Sequence, residues 1–279
     1  MNVFGNISEI ASLSRADYEK ACLEHTDHIY LGNDTVLCKV LTKYKMFVDS
    51  KDLGIAPHLM MDGYWESWLT QLLAQTIKPG FTCLDIGANF GYYSLLMSEL
   101  CGREGRTISI EPNPAICELL RSTEFLHGWH FEVVQAAMSD KKGEAVLTIT
   151  DRELGGGTIK PNELTKGRTQ IRVPTISVDE LVKEKNLSRV DIIKMDVEGV
   201  EPLVFAGMQQ TIKNNPGIGI IIEYSPSIYS DAVDFTDYLF SKFIVHQVKD
   251  VDTITLLNAS DKARLLAMTD HTDLFLRPK

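Results

Sequence analysis

Apolar side chains recur at helical spacing in the segment DGYWESWLTQLLAQTIKPG. Trp65, Trp68, Leu69, Leu72, Leu73 and Ile77 fall on one face, and Pro79-Gly80 stop the run. Beyond Gly80 short apolar runs alternate with helical stretches. FTCLDI, RTISIE, EVVQAAM, AVLTI, IRVPTI, VDIIKM, IGIIIEY, IVHQV, ITLLN and DLFLR read as strands. Residues 92–101, 114–127, 177–186, 201–215 and 232–242 read as helices, and Ser177 with Glu180 forms a capping-box pattern. IGIIIEY is apolar without alternation, as expected of a strand covered on both faces. Such alternation predicts an α/β fold with a doubly wound, mainly parallel sheet. AVLTI and IRVPTI read as a strand-rich insertion around GGGT, and the sparse helix between the last three runs predicts an antiparallel edge. Upstream, VLCKVL and YKMFV suggest a hairpin around Thr42-Lys43, and residues 1–27 look helical. The expected division is a small N-terminal lobe, 1–62, and an α/β domain, 63–279.

Composition narrows the class without naming a function. The 279 residues carry 28 Lys and Arg against 38 Asp and Glu, a net charge of −10, which argues against nucleic acid as a partner. Hydrophobic content of 44% and charged content of 24% are ordinary for a globular protein. The five cysteines are scattered and form no CxxC, so neither a disulfide framework nor a zinc site is readable. The N-terminus does not read as a secretory signal, and no run approaches the roughly 18–20 apolar residues of a membrane span. A cytoplasmic protein is expected.

Candidate chemistry concentrates where strands end. In CLDIGANFGYYSLLMSEL a buried strand ends at Asp85, a loop with Gly87 and Gly91 follows, and a helix begins near Tyr92. Glycines at such a loop let backbone approach a ligand. The next strand ends in ISIEPNP, where Glu111 can accept hydrogen bonds from both hydroxyls of a ribose. The loop reads G-x-x-x-G, not G-x-G-x-x-G, and Asp85 would repel a pyrophosphate while suiting a cationic ligand. These features favour S-adenosylmethionine over a dinucleotide.

A second acidic cluster follows VDIIKM: Asp196, Glu198 and Glu201. Asp196 reads either as a helix cap or as a group facing the reaction centre. Lys194, a charge inside a buried strand, calls for a local ion pair. Glu223 ends the strand IGIIIEY and can converge with Asp196 on an acceptor hydroxyl, either as a base or by holding a cation. With no histidine adjacent in sequence, no metal site is assigned. His58 and His246 are alternative bases, and the phase of Trp65 and Trp68 favours core packing over sugar stacking.

These motifs resemble the FkbM-type methyltransferases, a branch of the class I S-adenosylmethionine-dependent enzymes. The resemblance spans roughly residues 30–279 and rests on YKMFVDSKDLGIAPHLMMDGYWE, LDIGANFGYYS, ISIEPNP, AAMSD, VDIIKMDVEGVE, IIIEYSP and TDLFLRP. It implies a Rossmann-like, seven-stranded core and O-methylation of a sugar, glycolipid-like molecule or hydroxylated metabolite. It also implies that Asp85, Gly87, Ala88, Asn89 and Gly91 hold the methionine part of the donor. Glu111 would hold the ribose, Asn113 would lie beside the adenosine, Ala137 would line the adenine, and Asp196 would face the reaction. The competing readings are a nicotinamide-dependent oxidoreductase and a non-catalytic nucleoside-binding relative.

Overall fold

The computed structural model describes residues 6–128, 131–150, 153–159, 168–249 and 254–279. The N-terminal segment forms a 3₁₀ turn (Ile7–Ser12), a helix (Arg15–His25) and strands β1 (Asp27–Gly32), β2 (Thr35–Val40) and β3 (Tyr44–Asp49). These three strands form an antiparallel sheet, one strand more than the expected hairpin. Next come β4 (Thr82–Ile86), β5 (Arg106–Ile110), β6 (Phe131–Val134), β7 (Ala137–Met138), β8 (Gly143–Thr150), β9 (Glu153–Thr158) and β10 (Arg168–Ile176). The chain closes with β11 (Ile192–Met195), β12 (Gly219–Tyr224), β13 (Phe243–Val248), β14 (Ile254–Leu256) and β15 (Thr272–Pro278).

The main sheet runs β14-β13-β15-β12-β11-β4-β5-β6. Strands β12, β11, β4, β5 and β6 are mutually parallel, and β15 inserts antiparallel between β12 and β13. Eight strands are present where seven were expected, because ITLLN contributes the three-residue β14 as an antiparallel partner of β13. From β4 the chain winds outward to β6 and then returns to β11 on the other side. The switch point therefore lies between β4 and β11, where ligands bind in open α/β sheets. The insertion forms a separate sheet, β7-β10-β8-β9. EVVQAAM, read as one strand, divides between the two sheets as β6 and β7. Strand β9 escaped the sequence pattern because three of its six residues are glycine, which carries no strand signal.

Both sheet faces are covered, and side-chain alternation decides which residue meets which layer. Leu84, Ile86, Ile193, Met195, Ile220 and Ile222 join one apolar cluster. Cys83, Ile192, Ile221 and Phe275 join the other, with Leu69, Leu73, Leu95 and Leu96 and with Ile10, Tyr18, Val40 and Met46 of the N-terminal segment. On that second face the same alternation brings up Asp85, Lys194, Glu223 and Asp273, from four neighbouring strands. The expected helix over 201–215 is two helices, Glu201–Ala206 and Gln209–Asn214. At the break, a Cβ on Gly207 would lie 2.4 Å from the Ser139 carbonyl, so this close packing depends on glycine.

Candidate active site

The loop after β4 is held by its own hydrogen bonds. The N–H groups of Gly87 and Ala88 both donate to the Ile110 carbonyl, and that of Gly91 donates to the Ala88 carbonyl. The Asn89 N–H donates to Glu111 Oε2 and the Phe90 N–H to Asn89 Oδ1. All five amides from 87 to 91 are thus engaged within the protein, leaving no cradle of free N–H groups for a pyrophosphate. Gly87 (φ +79°) is required by the protein itself, since a Cβ there would lie 1.8 Å from the Asp196 carbonyl oxygen. At Gly91 (φ +92°), which opens the helix Tyr92–Cys101, a Cβ would lie 2.2 Å from Leu120.

Glu111 lies beyond the end of β5 and is buried. Its Oε1 accepts from the Asn113 N–H at 2.8 Å and its Oε2 from the Asn89 N–H at 3.0 Å. Burial pushes this carboxyl up to about 7, against the pull of those two amides. It forms one wall of a narrow cleft with Ile86, Ile110, Pro112, Ala137, Val197 and Gly157. Apolar walls beside a fixed carboxylate suit a nucleoside with vicinal hydroxyls, and Asp196 lines the same cleft.

Around Gly87 and Gly155 this cleft meets a second, lined by Trp65, Glu66, Ala88, Asn89, Lys194, Asp196 and Glu223 among others. Lys194 is buried and donates to Asp196 Oδ2 at 3.2 Å, with its ammonium 5.0 Å from the centre of the Tyr93 ring. Burial alone would lower its pKa, but the carboxylates of Asp196, Asp85 and Glu66 outweigh burial and raise it. Burial, followed by the nearby Asp196, pushes Glu223 up to about 7. Burial and then Asp273 push Glu66 to about 7 as well, and Glu66 accepts from the Tyr93 hydroxyl at 2.6 Å.

Gly87, Ala88, Asn89, Glu111, Ala137, Asp196 and Glu223 therefore line the paired clefts. Asp85 does not. It is fully buried, accepts from Ser94 Oγ at 2.6 Å, and bears on the site through Lys194, its partner in strand register. The Asn113 side chain caps the helix Pro114–His127 through the Ala115 N–H and donates to the Leu154 carbonyl, leaving Pro112 on the cleft wall. Asp196 is not a helix cap, for Val200 occupies that position at Glu201–Ala206. Neither His58 nor His246 lines the clefts. His58 is half-exposed and bonded to Asp62 at 2.8 Å, while His246 faces Phe275 within β13. Among the described histidines, His271 is the one held near the site electrostatically. Burial opposes its charge, and Glu223 and Asp273 raise its pKa.

Several site residues were missed from sequence. The helix expected to include Trp65 begins at Ser67, so Trp65 stands on the cleft wall, while Trp68 donates to Asp273 at 2.8 Å. Strand β9 closes over the loop. Its Leu154 N–H donates to Asp52, and Thr158 donates to the Glu198 carbonyl. A Cβ on Gly155 would lie 1.9 Å from the Asn89 side chain. The triple glycine was the available signal, since glycine inside a strand marks close backbone approach.

A Rossmann-like sheet with a glycine loop after its first strand, an acid after its second and an acid at the switch point defines a nucleoside-binding α/β domain. The profile of the Methyltransferase FkbM domain matches residues 85–253, and the chain belongs to that family. The cofactor of the class is S-adenosylmethionine, and a buried carboxylate beside apolar walls suits its nucleoside. The chain is 28% identical over 127 residues to a protein-L-isoaspartate O-methyltransferase of Arabidopsis thaliana, covering 45% of this chain and 50% of that protein. It is 25% identical over 149 residues to the hexuronic acid methyltransferase AglP of Haloferax volcanii, covering 53% and 59%. The chain thus spans little more than half the length of these relatives. Among solved structures, the Bacillus cereus O-methyltransferase in complex with S-adenosylhomocysteine overlays with a TM-score of 0.41 at 15% identity, covering 75% of this chain and 77% of that one. The Pyrococcus abyssi tRNA (uracil-54, C5)-methyltransferase overlays with a TM-score of 0.47 at 13% identity, covering 89% and 45%.

Proposed function

We propose that the protein is an S-adenosylmethionine-dependent O-methyltransferase acting on a hydroxyl of a sugar, glycan or hydroxylated metabolite. The observation that carries the donor part is the glycine loop, whose amides are all used internally while Glu111 presents a fixed carboxylate beside an apolar cleft. That arrangement suits a ribose diol and not a pyrophosphate. When bound, the donor would supply a sulfonium methyl that an oxygen nucleophile attacks in line, the S–CH3 bond breaking to release S-adenosylhomocysteine. Gly87, Ala88 and Asn89 would border its amino-acid part, Glu111 its ribose and Ala137 its adenine.

Asp196 lies where the two clefts meet, and this placement supports it as the group that takes the acceptor proton. Lys194 orients its carboxylate through the 3.2 Å bond. Glu223, in the same cleft, would bind the acceptor. The relative described as a hexuronic acid methyltransferase supports a sugar acceptor. Five free, buried thiols agree with a reducing, cytoplasmic setting, and among the described residues no helix is long and apolar enough to cross a membrane.

Calorimetry and thermal melting with S-adenosylhomocysteine and with NAD test the reading. S-adenosylhomocysteine at a hundredfold its dissociation constant should add about 2.7 kcal/mol of stability. Stabilisation by NAD alone would overturn it.

A further inference from the structure

Strand β9 walls both clefts: Gly155 and Gly157 line the first, and Gly155 and Gly156 the second. Little within the strand itself fixes it there. Glycine loses more backbone freedom on ordering than any other residue, and Gly155, Gly156 and Gly157 make up half of β9. The strand also stands at the edge of its sheet, and its pairing with β8 shifts register between Thr148 opposite Thr158 and Thr150 opposite Glu153.

Two side chains from outside the insertion take the place of a further strand. The Leu154 N–H donates to Asp52 Oδ2 at 2.9 Å, and the Leu154 carbonyl accepts from Asn113 Nδ2 at 3.1 Å. A carboxylate that takes the N–H and an amide that gives to the C=O of one residue satisfy an open strand edge as an antiparallel neighbour would. The tie is made one residue from the donor loop, since a Cβ on the adjacent Gly155 would lie 1.9 Å from the Asn89 side chain. Asp52 is itself buried and fixed. Its N–H donates to the Asp49 carbonyl at 3.2 Å, and its Oδ1 accepts from the Ala56 N–H at 3.0 Å, where the helix Ala56–Met61 begins. It belongs to the N-terminal segment, upstream of the residues 85–253 that the family profile matches. Asn113 caps the helix Pro114–His127 and is not among the residues lining either cleft.

We infer that Asp52 is a positioning residue for the donor: by holding Leu154 it keeps β9 over the donor cleft and sets how long the donor stays bound. The inference rests on the donor reading above, and its test separates the two. Hydrogen–deuterium exchange is followed first in the ligand-free protein, in peptides covering residues 153–159. Loss of a hydrogen bond to a charged group should make exchange there about tenfold faster or more in Asp52→Ala than in the wild type. Bound tritiated S-adenosylhomocysteine is then chased with the unlabelled compound. It should leave Asp52→Ala about tenfold faster or more, while its association rate changes by less than about threefold. Asn113→Ser keeps an oxygen that can cap the helix and loses the amide that reaches Leu154, so it should hasten dissociation as well.

Should Asp52→Ala not fold, Asp52→Asn is measured in its place, with the same directions expected because one carbonyl oxygen then serves two N–H groups. A lower melting temperature with wild-type exchange at 153–159 would reduce Asp52 to a support for the helix Ala56–Met61 and overturn the inference. Faster exchange with unchanged dissociation also overturns it, because β9 would then not retain the donor. Fast dissociation from Asp52→Ala alone, with Asn113→Ser at the wild-type rate, would make Asp52 a direct donor ligand and overturn the positioning role. A wild type that does not bind S-adenosylhomocysteine overturns the donor reading itself, and this inference with it.

Discussion

Replacing Glu111 by Gln tests the donor site with the least change of shape. In the folded protein both carboxylate oxygens are occupied on one side, by the Asn89 N–H at 3.0 Å and the Asn113 N–H at 2.8 Å. The amide nitrogen of Gln cannot accept, so one of these N–H groups and one ribose hydroxyl lose their partner. The internal N–H loses its partner in the free and the bound protein alike, so binding loses one hydrogen bond to a charged group, about 1.5–3 kcal/mol. That is roughly a 10- to 150-fold rise in the dissociation constant of S-adenosylhomocysteine, readable by calorimetry. Because burial holds this carboxyl near 7, it gains its charge only as the pH passes neutrality. The wild-type affinity should therefore improve between about pH 6 and pH 8, while that of Glu111→Gln stays flat. The ribose is remote from the transferred methyl, so the loss should appear in donor binding more than in the chemical step. A folded Glu111→Gln that binds within about threefold of the wild type refutes the assignment.

Gly87→Ala should destabilise the protein without any ligand, by about 2 kcal/mol or more, because its Cβ collides with the Asp196 carbonyl at a left-handed position. An unchanged melting temperature would contradict the loop geometry. Glu201 is buried with one oxygen unpartnered, and burial pushes it up to about 8 from an ordinary 4.5. The folded state then keeps its proton longer than the unfolded chain, so stability falls as pH rises from 4.5 towards 8. Glu201→Gln should remove up to roughly 4 kcal/mol of that fall, and parallel stability–pH curves for both proteins would sink the idea. Asp196→Asn should retain S-adenosylhomocysteine binding and lose on the order of 100–10,000-fold in methyl transfer. Turnover within a few-fold of the wild type would leave Asp196 without a role as base.

Local sequence determined most of the elements and pointed to many of the residues that line the paired clefts. The alternation of apolar runs and helical stretches is a short-range property, and it placed the helices Tyr92–Cys101, Pro114–His127 and Ala232–Lys242 at their observed bounds. Parallel winding then brings the ends of β4, β5, β11 and β12 to one edge. Gly87, Glu111, Asp196 and Glu223, each read as ending a strand or following one, therefore meet there. What tertiary structure decided depends on register and on which layer covers each face. Glu66 and Asp273 are 207 positions apart in the chain, and they approach because β15 inserts beside β12 and Trp68 reaches Asp273. No local pattern encodes that insertion. Likewise, only packing shows that Gly87 is needed for the Asp196 carbonyl, that Asp85 lies beneath the cleft, and that a glycine-rich strand covers the loop. Distances between non-neighbouring backbones and the burial of a charge are properties of the assembled layers, and a linear pattern of residue types does not contain them.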